Sequence, residues 1–456
     1  MDFNSGSNNR VNRLMRVSQT PSDPGTCGWY EILSAPTHFS EVTGSKTVDV
    51  AIVGSGFAGL AAAARLQSID PSVCVTVVDA VQPGRGPQGR NSGFMIDLPH
   101  DLASGHYARE HEARERNEIH ANRAAIEFTQ TLADKFELPD SVVDACGRIN
   151  GISGTAGQKH NARYTAYLDT LGESYQWLNS KEMQQLTGTS FYQGGVFLPG
   201  TVMLQPAAYI NCLAHRLHQS GIHIHGDSPV LEIAKQGPHW HLTTPHAKVI
   251  AGQVILAVNG HVQSFGFFQK HLMHVFTYSA MTEPLTDPQL MQLKPFGITP
   301  ADPMGSTIRL ISSASGNRLL IRNRWTMKSS MQLSDSELQR ARSSQIKGLK
   351  ARYPDKKLDI AFQWAGRLCL SSNAVGAQGE VAPGLFSACC QNGLGTAKGT
   401  FAGMAAADLA LGHTDTFPVR YYKTQEPIKK APPRLLQDIG GNLVIRAREW
   451  RAQHEI

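Results

Sequence analysis

Thirty-two residues, Asp49 to Ala80 (DVAIVGSGFAGLAAAARLQSIDPSVCVTVVDA), constrain this chain more than any others. Val50 to Val53 is an apolar run of the length of a fully buried strand. Gly54-Ser55-Gly56-Phe57-Ala58-Gly59 follows as G-x-G-x-x-G, and Ala58 to Leu66 has strong helix propensity. Val73 to Val78 reads as a second strand and ends in Asp79, 20 residues past Gly59. Each part has a physical task. Gly54 permits a tight strand-to-helix turn, Gly56 lets a pyrophosphate approach the backbone, and Gly59 lets helix and strand pack closely. The helix N-terminus offers unpaired N–H groups to phosphate, and an acid at position 79 accepts hydrogen bonds from a ribose diol. The spacing predicts a dinucleotide site. It does not separate NAD from FAD, and Asp79 speaks against a 2′-phosphate.

At 456 residues the chain is long enough for two or three domains. A net charge of +6, with no dense basic run interleaved with aromatics, does not predict nucleic-acid binding. Seven cysteines without C-x-x-C spacing suggest reduced thiols and a cytoplasmic setting. The longest apolar candidate, the 15 uncharged residues between Asp49 and Arg65, falls short of the ~20 residues that a membrane-spanning helix needs.

Along the chain, residues 1–28 are expected to form a mobile N-terminal extension, with Trp29, Tyr30 and Phe39 packing on the surface of the body. The Gly/Pro-rich stretch 81–97 reads as a loop, and Tyr107 to Phe136 as a solvated, salt-bridged helix. Ala207 to Ser220 reads as a helix, His223–His225 as a strand with Val230 to Ile233 as its continuation, and 248–260 as a buried strand ending in Asn259-Gly260. Strands are expected at 276–281, 307–311 and 318–322. A helix is expected over 334–351, capped by Ser334 and Glu337. Residues 391–396 form a second glycine turn, which feeds a helix from Ala397 to Leu411. These elements imply an α/β Rossmann-type nucleotide domain, discontinuous over 29–105, 185–262 and 362–413. An α+β substrate domain with a β-rich sheet would occupy 106–184 and 263–361. A C-terminal tail, 414–456, carries a short amphipathic helix whose apolar residues Leu443, Val444, Ala447 and Trp450 are expected to dock on the protein's own body.

Together these stretches resemble the D-amino-acid-oxidase-type, FAD-dependent amine oxidoreductases. The resemblance is carried by 49–66, Asp79, the GRNSGF loop (89–94), VILAVNG (254–260) and 391–412. WYEILSAP (29–36) and the Arg/Trp-rich tail look most like the γ-glutamylputrescine-oxidase-like branch. The resemblance implies non-covalent FAD, since Arg90-Asn91 stands where some relatives carry a linking His. The implied cofactor contacts are Gly54, Gly56, Phe57, Ala58 and Gly59; Asp79 and Ala80; Arg90, Asn91, Ser92, Gly93 and Phe94; Val230, Asn259 and Gly260; and Asn392, Gly393, Leu394, Gly395 and Thr396. It also implies oxidation of the C–N bond of a small amine or amino acid, with hydride transfer to flavin N5, imine hydrolysis, and reoxidation by O2 or an electron carrier. An oligomer is left open. A flavin-binding assembly or RNA-modifying protein is the competing class, disfavoured by the lack of a basic face.

Substrate-contact candidates are Arg322 and Arg309, which with Arg324 lie on the expected sheet where an arginine would clamp a carboxylate, together with Arg367 and Trp364 ahead of the final glycine turn, and Tyr278. His100 and Met281 are weaker candidates. His215, His218, His223 and His225 lack Cys or acidic partners at ligand spacing, so no metal site is expected. Cys389 and Cys390 read as packed strand residues.

Overall fold

The computed structural model describes residues 14–98, 112–302, 304–452 and 455–456. Two large sheets organise it. In the first, the buried strand Gly44–Val53 pairs in parallel with Val75–Val78 on one side and Ala247–Leu256 on the other. His223–His225 extends the parallel set beyond Val75–Val78, and Leu385–Cys389 joins it beside Val254–Leu256. Such a parallel core buried on both faces explains why Val50–Val53 and Val75–Val78 read as unbroken apolar runs. The helices Phe57–Ile69 and Ala397–Ala410 cover one face.

The second sheet has eight strands, in the order Ile360–Ser371, Leu272–Thr282, Gly316–Met327, Thr307–Ser313, Phe296–Pro300, Arg148–Ile152, Gly194–Leu198 and Gln176–Asn179. The helix Asp335–Arg352 packs on it, and its N-terminus is the expected capping box. The Glu337 carboxylate accepts from the Ser334 N–H at 3.0 Å and from its hydroxyl at 2.9 Å.

Several boundaries differ from expectation. Gly194–Leu198 and Ile360–Ser371 belong to this second sheet, although they fall largely within 185–262 and 362–413, expected for the nucleotide domain. Helix Glu112–Lys135 buries Ala121, Ala125 and Ile126 in the nucleotide-side core instead. The first residues of the expected 107–136 helix, and His100, lie outside the described residues. Val230–Ile233 does not continue His223–His225. Glu232–Gln236 opens an antiparallel meander with His239–Thr243 and Ala247–Leu256 on the far side of the sheet.

Residues 14–28 lie along the body. Met15–Arg16 pairs with Ile233–Glu232, and Gly25 bridges Trp364. Trp29 and Phe39 are buried rather than superficial. In the tail, helix Asn442–Arg451 does dock on the body, but with its polar side. Leu443, Val444 and Trp450 face outward. Among the described residues no helix is long and apolar enough to cross a membrane.

Candidate active site

The three glycines of the first turn do separate work. Gly54 has φ +106°, and a Cβ there would lie 2.6 Å from the Ala257 carbonyl oxygen. A Cβ on Gly59 would lie 1.8 Å from the Gly54 carbonyl oxygen, so this residue sets how close the helix sits to the strand. Gly56 caps helix Phe57–Ile69, and its nearest neighbour in the Cβ direction is the Gln88 Cβ at 3.5 Å. That side of Gly56 opens on a crevice. Asp79 closes the end of strand Val75–Val78. Its Oδ2 accepts from the Ser55 N–H and hydroxyl, both at 2.7 Å, and its Oδ1 accepts from the Val81 N–H at 3.1 Å. Burial pushes its pKa up, opposed by these hydrogen bonds. Phe57, Ala58, Asp79, Ala80 and Val230 line the same crevice.

The second glycine turn forms its other end. Cys390, Asn392 and Gly393 all have positive φ (+59°, +50°, +85°), which folds the chain back from strand Leu385–Cys389 into helix Ala397–Ala410. Asn259 accepts from the Cys390 N–H at 3.1 Å, and the Thr396 hydroxyl donates to the Phe94 carbonyl at 2.7 Å. A Cβ at Gly403 would lie 2.1 Å from the Ala58 carbonyl oxygen. The two helices therefore touch backbone to backbone, which fixes the two turns relative to each other. Gly393, Leu394, Gly395 and Thr396 line the crevice, as do Asn259 and Gly260. Asn392 does not: its side chain turns away to accept from the Ser371 N–H at 2.8 Å.

Between the turns runs the loop Arg90–Phe94. Four consecutive carbonyls are held by side chains. Trp364 Nε1 donates to Arg90 (3.0 Å), Trp29 Nε1 to Asn91 (2.9 Å), and Arg309 Nη1 to Ser92 (3.0 Å) and Gly93 (3.3 Å). Arg309 also donates to the Leu204 carbonyl at 2.7 Å and lies over the rings of Trp29 and Phe94. These contacts correct two expectations. Trp364 and Arg309 are fully packed supports of the loop and do not line the crevice. The Arg90 guanidinium likewise turns away, donating to the carbonyls of Arg85, Pro24 and Gly25. Arg90, Asn91, Ser92 and Phe94 nonetheless line the crevice, while Gly93 sits behind it, where a Cβ would strike Arg309 and Leu204.

The eight-stranded sheet roofs this loop. Thr277, Thr299, Arg322, Trp325 and Arg367 line the crevice from above. Arg322 is half-buried. Its Nη2 donates to Thr307 Oγ1 at 2.8 Å, its Nε has no partner, and burial pushes its pKa down to about 10. Arg367 is buried with one terminal nitrogen unpartnered and the other 3.9 Å from Asp23. Tyr278 points to the opposite face, where its hydroxyl donates to Thr326 at 2.8 Å beneath helix Asp335–Arg352; Met281 packs against Trp29 and Trp364. His261, Phe265 and the segment Gln19–Pro21 also line the crevice, and none was singled out from the sequence. Of the four histidines that invite a metal reading, two have ring contacts: His218 Nδ1 lies 3.2 Å from the Ile222 carbonyl, and His225 Nδ1 lies 3.1 Å from that of Ser40.

The donor set fits a long anionic dinucleotide. Each end of the crevice carries a helix N-terminus; at the second, Lys398 and Gly399 already donate to the Leu394 and Gly395 carbonyls, so the N–H groups left to a ligand there are those of Gly395 to Ala397. Asp79 lines the crevice beside Gly56, and Arg322 Nε and Arg367 Nη1 lack partners within the protein.

Known proteins agree with this architecture. A curated relative, "Probable oxidoreductase OrdL" from Rhizobium meliloti, is 24% identical over 416 residues, covering 86% of this chain and 90% of its own length. Glycine oxidase from Geobacillus kaustophilus superposes with a TM-score of 0.67 at 18% identity, covering 84% of this chain and all of the oxidase. L-Amino acid deaminase from Proteus myxofaciens does so with a TM-score of 0.65 at 14% identity, covering 91% and 99%. These likenesses do not single out the γ-glutamylputrescine oxidase branch. The profile of the family described as "FAD dependent oxidoreductase" matches residues 49–409, and the chain belongs to that DAO family of FAD-binding oxidoreductases.

Proposed function

We propose that the protein oxidises the C–N bond of a small amine or amino acid, and that the substrate carries a carboxylate held by Arg322. One observation carries the reading: a half-buried guanidinium faces the crevice with one neutral hydrogen-bond partner and a buried, unpartnered Nε. A buried donor left unsatisfied is costly, and a bidentate carboxylate supplies what the guanidinium lacks. Trp325, whose ring lies 4.8 Å from the guanidinium carbon, walls the same place and fixes the direction of the fork.

The residues that would hold the cofactor are the backbone of Gly56 and Phe57 for the pyrophosphate, Asp79 for the ribose, and the backbone of Gly395 and Thr396 beside the redox-active ring. FAD bound there would supply the acceptor for the hydride equivalent leaving the substrate's α-carbon. The chain's own task is orientation and exclusion of water. Burial among Phe94, Phe265 and Trp325 favours the neutral amine over the ammonium. Imine hydrolysis then needs only water.

The test is an anaerobic screen. The purified protein should be yellow, and a carboxylated amine or amino acid should bleach its flavin band. A protein that stays yellow with every amine tried ends the reading. Hydrogen peroxide formed in air separates an oxidase from the second reading, a dehydrogenase that feeds an electron carrier.

A further inference from the structure

The last helical stretch meets the body with its polar side. Arg434–Leu436, Gln437–Gly441 and Asn442–Arg451 form one continuous rod with a π turn in the middle. Strand Gly316–Met327 loses its Thr307–Ser313 neighbour beyond Arg322, so backbone groups at Trp325, Met327 and Ser329 are left along an open edge. The rod satisfies them in alternation. Glu449 accepts from the Trp325 N–H at 2.9 Å. Asn442 accepts from the Met327 N–H at 3.0 Å and donates to its carbonyl at 2.9 Å. Asp438 accepts from the Ser329 N–H at 2.7 Å. Glu449 also pairs with Arg324 at 2.9 Å. Both acids of the rod are thus turned inward.

The opposite side is apolar and basic. Leu436, Ile439, Leu443 and Trp450 are 61%, 56%, 63% and 72% exposed, and Arg434, Arg446 and Arg451 are exposed beside them. Four large apolar side chains in one stripe are more than scattered surface residues, and such a patch marks a contact surface.

We propose that this outer face docks on a membrane surface rich in anionic lipid. Charge decides the occupant. The face offers arginine and no acid, so it complements a negatively charged sheet of headgroups. A second copy paired face to face would set arginine against arginine with no carboxylate to answer it. The 18 residues from Arg434 to Arg451 span ~27 Å, too short and too charged to cross a bilayer but suited to lie along one, with Trp450 at headgroup depth. The strand that the rod clamps also carries Arg322 and Trp325 of the crevice. The docking face and the candidate active site therefore share one rigid element. None of this depends on which substrate is oxidised.

Flotation of the full chain with vesicles tests it. The protein should rise with phosphatidylcholine vesicles containing roughly 30 mol% phosphatidylglycerol, stay behind with phosphatidylcholine alone, and lose binding as salt is raised. Leu443→Asp, and separately Arg446→Glu with Arg451→Glu, should each lower vesicle binding at least about tenfold, with the melting temperature unchanged because these side chains are exposed. If Leu443→Asp proves unstable, the charge reversal decides alone. Failure to bind anionic vesicles overturns the proposal, as does equal binding to neutral ones. So does the absence of vesicle binding together with a dimer that Leu443→Asp dissociates, or with capture of an acidic protein.

Discussion

Trp364 and Trp29 donate their indole N–H groups to adjacent carbonyls, those of Arg90 and Asn91, at 3.0 and 2.9 Å. They come from opposite parts of the chain and meet in one buried cluster beneath the crevice loop. With Arg309 on the next two carbonyls, the loop's backbone is held at every residue from 90 to 93. Trp364→Phe keeps most of the packing and removes one donor, leaving a buried carbonyl unsatisfied at a cost of about 1–3 kcal/mol. FAD affinity, measured by fluorescence titration, should therefore fall about tenfold, with a smaller loss in Tm. Unchanged affinity would show that the loop's position does not depend on this bond.

The glycines of the first turn should separate by experiment. Gly59→Ala places a Cβ 1.8 Å from the Gly54 carbonyl oxygen, so helix Phe57–Ile69 must move off the strand, and the variant should express poorly or melt far below the parent. Gly56→Ala meets nothing closer than 3.5 Å within the protein. It should fold and melt like the apoprotein of the parent, yet bind FAD at least about tenfold more weakly, because its methyl group occupies the path of the pyrophosphate. Equal FAD affinity in Gly56→Ala would remove the pyrophosphate from this turn.

Arg322 is the position on which the carboxylate reading depends. Arg322→Met keeps much of the length of the side chain and discards the charge. With a carboxylated substrate KM should rise about a hundredfold, in line with loss of a buried charge-assisted hydrogen-bonded pair worth about 3 kcal/mol, while kcat changes less. An amine without a carboxylate should discriminate far less between parent and variant. An unchanged KM removes Arg322 from substrate binding.

The nucleotide half of the crevice was legible in the sequence because its demands are local. A turn that excludes a Cβ requires glycine, and the strand, helix and acid follow at fixed offsets. Gly54, Gly56, Phe57, Ala58 and Asp79 lie as the spacing implies. The half of the crevice beneath the eight-stranded sheet was not legible, because strand facing depends on register. Arg322 and Trp325 both reach the crevice only because Arg324 sits at φ +59° and is passed over in the pairing with Leu272–Thr282, which reverses the alternation beyond it. Simple alternation would have sent Trp325 to the other face. Trp364 was visible as a large aromatic ahead of the final turn, but its role depends on Arg90, 274 residues away in sequence. The tail helix misled for a different reason. Its apolar stripe was real, while the edge that attracts its polar side exists only after the sheet has formed.

Acid should destabilise the protein through two histidines close to the crevice. Burial, with Arg367 nearby, pushes His261 down to about 2 and His274 down to about 3. His274 Nε2 lies 2.8 Å from Gln263 Oε1, while His274 Nδ1 and His261 Nε2 have no partner to welcome a proton. In the unfolded chain both titrate near 6.5. Between that value and the folded one, the unfolded state holds more protons, so stability rises with pH; the contribution is complete above about 6.5 and is lost as pH falls below it. Each histidine contributes up to about 1.4 kcal/mol per pH unit in that window. Urea unfolding at about pH 7.5 and 5.5 should therefore show a loss near 2–3 kcal/mol from the pair, on top of any carboxylate effect. His274→Gln removes one titrating group and leaves the carboxylates unaltered. The difference between parent and variant should shift by about 1 kcal/mol in the variant's favour at the lower pH. A difference that stays constant across this range would mean that His274 takes up its proton in the folded protein, and that the pocket around Gln263 and Arg367 admits water.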